Sequence, residues 1–567
     1  MNFLLRKTLD RSKPNRRDFM VQSTCAGLGI TSAVNTLSQL SLVGAAAAAG
    51  GPSDFKALVC IFQAGGNDSN NLLIPGHSGS SMSTARTHYE TGRGIPTYAG
   101  GAGGLAVPAN ELLATKLTLG STAYDPAAGY TGGDMALHPA CPEMAALFNT
   151  GALAMVANVG TLTATGVTRD NFNDALPTKP PQLFSHADQV LQWQSSISDQ
   201  PFTSGWGGRI ADLLNSSYNS GSGGLAMGVS IAGVNSFQVG LNNQAFVMST
   251  AGSQNLYGYG PSNVGYANAL VDTTLKPFIS GPTGYDPLTG TNYKTTGEGW
   301  RLRALETVME MNHANLFDGS HEATAKRART TEGVVTDALY YTNGTGGPLL
   351  DSYFTAAFGN NANSANNDFA NQMKMAARMI IGNWALLQAG KPSNTRQTFF
   401  LQQSGYDTHA SQMAITSANV VNTAVGQYAL LSTLSRSVSA FQQAILNHPS
   451  GGSALWASIT AFSSSDFCRT FTPNKTDSTG GSDHGWGGNA FVVGGAVHGG
   501  AIYGTYPLLL VNDGIDCTGS RGRWIPTTSV DQYAAKIAAW FGVPAGSMAT
   551  IFPNLGRFGG GTNLSFI

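Results

Sequence analysis

Short apolar runs, each closing on glycine and polar residues, recur along this chain and mark its expected strands. Residues 58–63 (LVCIFQ) form the first, and they break at Gly65-Gly66-Asn67-Asp68. Residues 152–157 (ALAMVA), 398–401 (TFFL), 458–462 (SITAF), 491–493 (FVV) and 508–511 (LLLV) have the same form. Continuous apolar runs bounded by turn signals read as strands buried on both faces. Between them the spacing of apolar positions becomes helical. Helices are expected over 142–149, 187–196, 205–215, 301–330, 366–389, 417–447 and 530–541. In 417–447, Leu430, Leu431, Leu434, Val438 and Phe441 share one face. Strand, helix and strand in alternation predict βαβ units and a parallel sheet. The expected fold class is α/β, a three-layer α/β/α sandwich with a mostly parallel sheet.

Two regions interrupt this pattern. Residues 76–133 are rich in Gly, Ser and Thr and are expected to form a long loop. Residues 216–395 begin as short strands and loops and continue into helices, so they read as an insertion or cap on a domain spanning 51–567. The first 50 residues have another character. Asn15-Arg16-Arg17-Asp18-Phe19-Met20 is a twin-arginine pattern, followed by a weakly apolar stretch at 26–43 and alanines at 45–49. That order matches a signal peptide for the route that exports folded proteins, and it predicts a periplasmic or secreted location. The apolar stretch is too interrupted by Ser, Thr, Gly and Asn for a good membrane span, and no stable transmembrane segment is expected in the mature chain.

Composition narrows the partners. Of 567 residues only 11% are charged, and the formal net charge is −1. There is no basic surplus to attract nucleic acid and no acidic tail. Cys60, Cys141, Cys468 and Cys517 follow the signal without CxxC spacing, which argues against a zinc–thiolate site. Cys60 and Cys468 read as buried thiols, and pairing of Cys468 with Cys517 stays open.

The candidate chemistry gathers where strands end. The first run leads to Asp68, the run at 398–401 to Asp407 and His409, and the run at 458–462 to Asp466. Asp483-His484 follows after a polar loop that can fold back over the last of these. In a parallel sheet the carboxyl ends share one edge, where ligands bind. Carboxylates with neutral imidazoles suit Zn²⁺ or Mn²⁺, and all-oxygen shells suit Mg²⁺ or Ca²⁺. The expectation is one or two divalent metal ions held by Asp68, Asp407, His409, Asp466, Asp483 and His484. Each residue also has a plain structural role open to it: Asp68 as a turn or cap residue, His409 as a partner of Asp407, Asp466 in a salt bridge with Arg469, and 483–488 as a rigid loop over Trp486. Ser185-His186 lies just before an expected helix, with Asp188 at capping-box spacing. The same position favours an alkoxide, which makes Ser185 and His186 the catalytic candidates. No GxSxG elbow, P-loop or GxGxxG turn is present.

With these stretches in view, the chain resembles the bacterial family called domain of unknown function 1501. The resemblance is carried by LVCIFQAGGNDSNNLLIP, FSHADQVLQWQ, SGYDTHASQ, the long stretch from SSSDFCRTF through GGSDHGWGGNAFVVGGAVHGG, and WIPTTSVDQYAAKIAAWFGV. It implies export, an alkaline-phosphatase-like fold, bound divalent metal and a hydroxyl nucleophile. Asp68, Asp407, His409 and His484 then resemble metal residues of that superfamily. Phe467 stands where a phosphatase has a histidine ligand, and Asp407 and His409 are two apart where many relatives have four. The activity implied is hydrolysis of phosphate or sulfate esters, with a small ester as substrate. The alternative is a catalytically silent envelope protein that binds polysaccharide or an exported partner protein.

Overall fold

The computed structural model describes residues 55–80, 83–118, 135–220, 225–252, 292–310, 347–359, 368–390, 393–449, 451–511, 517–559 and 564–567, with single positions at 269, 271, 290, 335 and 339. The twin-arginine segment and most of 253–346 lie outside them. Nine strands form the central sheet: β1 (Lys56–Ala64), β2 (Leu153–Gly160), β3 (Gly228–Ser230), β4 (Phe246–Val247), β5 (Arg396–Ser404), β6 (Ile459–Ser465), β7 (Gly488–Gly494), β8 (Ile502–Gly504) and β9 (Thr528–Ser529). Their order is β8-β2-β7-β6-β1-β5-β3-β4, with β9 also paired to β2. The fold is therefore mixed α/β with a mostly parallel sheet. Only β7 is reversed, running antiparallel to both β6 and β2.

This topology decides what meets at the sheet edge. Ala64 of β1 stands opposite Ser404 of β5, and Gln63 opposite Ser465 of β6, so three carboxyl ends are level. Because β7 is reversed, its amino end arrives at the same edge and delivers the residues just before Gly488. The end of β2 is there too, with Val159 opposite Gly488.

β1 is buried along both faces, as its unbroken apolar run requires. Ala57, Val59 and Ile61 join a core with Met144 of α1 (Pro142–Asn149) and with Met373, Ile380, Leu431 and Leu434. On the other face, Phe400 and Phe462 flank Cys60 in register. They meet Phe62, Trp206, Phe237 and Tyr533 at ring separations of 5.3–6.3 Å. The helices behind these side chains are α2 (His186–Ser195), α3 (Trp206–Tyr218), α4 (Asp368–Gln388), α5 (Gly426–Leu446) and α6 (Val530–Phe541). Each fully buried Phe contributes roughly 1.5–3 kcal/mol relative to an exposed one.

Several expectations are corrected. Residues 508–511 are not a strand: Leu509 has φ +61°, and the strand lies earlier, at β8. α5 starts at Gly426 rather than 417, because 415–425 is built of turns closed by an Ile415–Val421 bridge. The region 76–133 is not simply a loop, since it contains the helix Ser83–Arg93. The helix expected over 301–330 is described as Gly297–Glu310, and its remainder lies outside the described residues. Cys468 and Cys517 form no disulfide, and both are buried thiols, as are Cys60 and Cys141. No described helix is long and apolar enough to cross a membrane.

α6 begins with a capping box. Ser529 Oγ accepts from the Gln532 amide, and Gln532 Oε1 accepts from the Ser529 amide, both at 3.0 Å. Asp531 in that first turn is fully buried, and burial pushes its carboxyl up to about 7 against partial relief from its own amide, Ser196 and Arg209. The unfolded chain releases this proton near pH 4, so between there and about pH 7 the folded state binds one proton more. Stability from this group is complete below pH 4 and is lost as pH rises through 7. Asp531→Asn, which stays neutral, should stabilise the protein at pH 8 by on the order of 4 kcal/mol and change little at pH 4. Urea melts at both pH values test this, and an equal effect at each would refute it.

Candidate metal centre

The two glycines after β1 are there because two loops press against them. Gly65 has φ +110°, and a Cβ on it would meet the Asp407 amide nitrogen at 2.5 Å. Gly66 has φ +79°, and a Cβ there would lie 2.5 Å from the Phe467 ring. Their absent side chains let the segments after β5 and β6 close over the end of β1. A short ladder then ties the segment after β6 to the one before β7. Cys468 N donates to Trp486 O at 3.0 Å, Gly485 N to Cys468 O at 2.7 Å, and Thr470 N to Asp483 O at 2.8 Å. His484 is thereby fixed beside the end of β6.

Three histidines converge on Asp407. His186 Nε2 lies 3.4 Å, His409 Nε2 3.1 Å and His484 Nε2 3.7 Å from Asp407 Oδ1. His409 Nε2 and His484 Nε2 are 2.9 Å apart. His186, Asp407 and His484 together offer three ligand atoms within 4.8 Å of one another. The Asp407 side chain is 49% exposed, so the cluster opens to solvent.

The opposite ring nitrogen of each histidine is already committed. His186 Nδ1 is 2.7 Å from Asp466 Oδ2, His409 Nδ1 is 2.8 Å from Asp483 Oδ1, and His484 Nδ1 is 2.7 Å from the Phe184 carbonyl. Carboxylates and carbonyls only accept, so each Nδ1 carries the proton and donates. Every neutral ring then presents a bare lone pair at Nε2. Two such lone pairs 2.9 Å apart repel unless a proton or a cation lies between them. His186 Nε2 is buried and makes no hydrogen bond. Around a tetrahedral zinc, ligand atoms stand about 3.3 Å apart. The donor set therefore fits a divalent cation, and each imidazole is oriented from behind in the way metal-bound histidines are.

The charges agree with this. Burial pushes the Asp407 carboxyl up, but the Arg469 hydrogen bond at 2.6 Å and the Arg469 charge outweigh it and lower its pKa. Burial likewise opposes ionisation of Asp483, and bonds from Arg521, Asn474 and His409 hold it well below the usual carboxylate range. Burial, with the nearby charges of His186, Arg469 and His409, lowers the pKa of His484, which favours the neutral ring a metal needs. The Asp466 hydrogen bond raises that of His186.

The sequence-predicted residues fall into three groups. Asp407, His409, His484 and His186 come together, with His186 as a ligand candidate rather than a catalytic side chain. Asp466 and Asp483 stand one layer back and orient His186 and His409. Asp68 does not join them. It is buried with Arg93, whose Nη2 meets Asp68 Oδ2, and it also accepts from Gln412 at 2.5 Å and Asn70 at 3.0 Å. With its charge neutralised inside the protein, Asp68 has nothing left for a shared ion. Ser185 caps α2 without a side-chain bond to the backbone, and its hydroxyl donates to Asp188 Oδ2 at 2.5 Å. Arg469 pairs with Asp407, not Asp466. Phe467 does stand at the site, its ring centre 4.6 Å from that of His186 and 4.8 Å from that of His484.

Sequence patterning missed three contributors. Phe184 has φ +73°, an unusual backbone for a bulky residue, and this turns its carbonyl to His484. Arg521 buttresses Asp483, and Arg523 Nε donates to the His484 carbonyl at 2.9 Å. Phe184 opens the FSHADQVLQWQ stretch but as an apolar residue gave no sign of its role, and no motif marks Arg521 or Arg523. For the two arginines, the Arg-Gly-Arg at 521–523 was the visible sign.

Comparison with known proteins adds one finding. Residues 303–513 match the family described as Protein of unknown function (DUF1501). No curated protein matches the chain, and no solved structure does. The DUF1501 segment carries Asp407, His409, Asp466, Asp483 and His484, while His186 and Arg523 lie outside it.

Proposed function

We propose that this protein is an exported hydrolase of phosphate or sulfate esters that works with a bound divalent cation. The observation that carries this is the convergence of three bare Nε2 atoms on one carboxylate, each ring held from behind by an acceptor. His186, Asp407 and His484 would hold the cation, with His409 as a fourth ligand. When bound, it supplies Lewis acidity toward an ester oxygen and lowers the pKa of a nearby hydroxyl. Ser185 is the nucleophile in this proposal, and Asp188, 2.5 Å from its Oγ, takes the proton. An alkaline-phosphatase-like, three-layer arrangement is supported by the apolar layers on both faces of β1. Export rests on Arg16-Arg17.

The test combines elemental analysis of protein purified without chelator, a panel of aryl phosphates and sulfates, and the same assay on periplasmic and cytoplasmic fractions. Ser185→Ala should keep the metal and lose at least about 100-fold in turnover. Protein that holds no metal and cleaves no ester refutes the proposal. One observation favours a silent, partner- or polysaccharide-binding protein instead: Arg469 already neutralises Asp407 from 2.6 Å. Metal-free protein of full stability would support that second view.

A further inference from the structure

Among the described residues, Arg523 is the one guanidinium at the site whose terminal nitrogens are uncommitted. Arg469 spends its nitrogens on Asp407, Gly65 O and Ser482 O, and Arg521 spends its own on Asp483 and Thr472 O. Arg523 sits on the short strand Arg523–Trp524, paired to Cys517–Thr518. Its Nε donates to the carbonyl of His484 at 2.9 Å, and its guanidinium carbon lies 4.1 Å from the centre of the Phe184 ring. Among the described residues neither Nη donates to a partner, and no carboxylate pairs with it. Phe184 thus serves twice: its carbonyl orients His484, and its ring seats Arg523.

We propose that Arg523 binds the anionic head of the substrate, a tetrahedral oxyanion such as a phosphate or sulfate ester, beside the metal ligands. This rests on the hydrolase proposal and adds the group that selects anionic over neutral esters. A guanidinium held at Nε and stacked on a ring is immobilised, while its Nη pair forms a fork that matches two oxyanion oxygens. One fixed end keeps that fork at a constant distance from His484.

Inorganic phosphate, titrated calorimetrically into the metal-loaded full chain, is the probe. Arg523→Gln should weaken phosphate about 10- to 100-fold, the value of a charge-assisted fork, with metal content unchanged. Arg523→Lys should recover only a minor part, because a point charge lacks the fork. Unchanged phosphate affinity in Arg523→Gln overturns the assignment. So does loss of metal in that variant, which would make Arg523 a mere support for His484. Should the wild type take up no metal, the hydrolase proposal fails on its own. Arg523 is then judged by phosphate binding to the metal-free chain, where absence of binding overturns it.

Discussion

His484→Ala is expected to abolish stoichiometric metal binding, weakening the cation at least about 100-fold, since even residues behind a ligand are worth 10- to 100-fold. The wild type should bind one divalent ion per chain. One is the number because, among the described residues, the histidines and acids of this edge bring ligand atoms together at one place, His186, Asp407 and His484. The Nε2 atoms of His186, His409 and His484 face Asp407, whereas both oxygens of Asp68 are taken by Arg93, Gln412 and Asn70. Asp466→Asn should give a smaller loss, about 10- to 100-fold, because it loosens His186 without removing a ligand. Titration of chelator-treated protein with Zn²⁺ and Mn²⁺ measures all three. Two equivalents bound by the wild type, or full binding by His484→Ala, would contradict this geometry.

Much of the fold was readable because its strands are buried on both faces. The runs ending near Asp68, Asp407 and Asp466 were visible as continuous apolar stretches, and the register brings their ends level. The direction of β7 was not visible. Gly488–Gly494 is buried almost throughout, so it shows no alternation, and its pattern reads the same in either direction. That reversal is what brings His484 to the edge. The helix Ser83–Arg93 was hidden for a different reason. Its buried stripe is Ala85, Arg86, Tyr89 and Arg93, so a scan for aliphatic periodicity passes over it. Residue types alone marked the acids and histidines. They could not rank them, because the rank depends on which cation each acid meets. Asp407 meets Arg469 on one side and three imidazoles on the other, and Asp68 meets Arg93 only.

Arg93→Met should be the most destabilising single substitution at this edge, at about 3–5 kcal/mol, the usual cost of leaving one member of a buried ion pair uncompensated. Both side chains are fully buried. The loss would also spread. Gln412 Nε2 bonds Asp68 Oδ2, Ser482 Oγ bonds Gln412 Oε1 at 2.5 Å, and Arg469 bonds the Ser482 carbonyl and Asp407 in turn. This chain links the buried pair to the metal candidates by polar contacts alone. Replacing both partners, as Arg93→Met with Asp68→Leu, removes the stranded charge, so the double variant should recover most of the stability. If Asp68 is structural, the folded double variant still binds its single metal ion, with at most a modest change in affinity passed through Gln412. Urea melts and metal titration of the two variants decide the matter. A cost below about 1 kcal/mol for Arg93→Met, in the range of exposed pairs, would mean that the pair is not the internal neutralisation described here. Loss of metal from a stably folded double variant would return Asp68 to the ligand set.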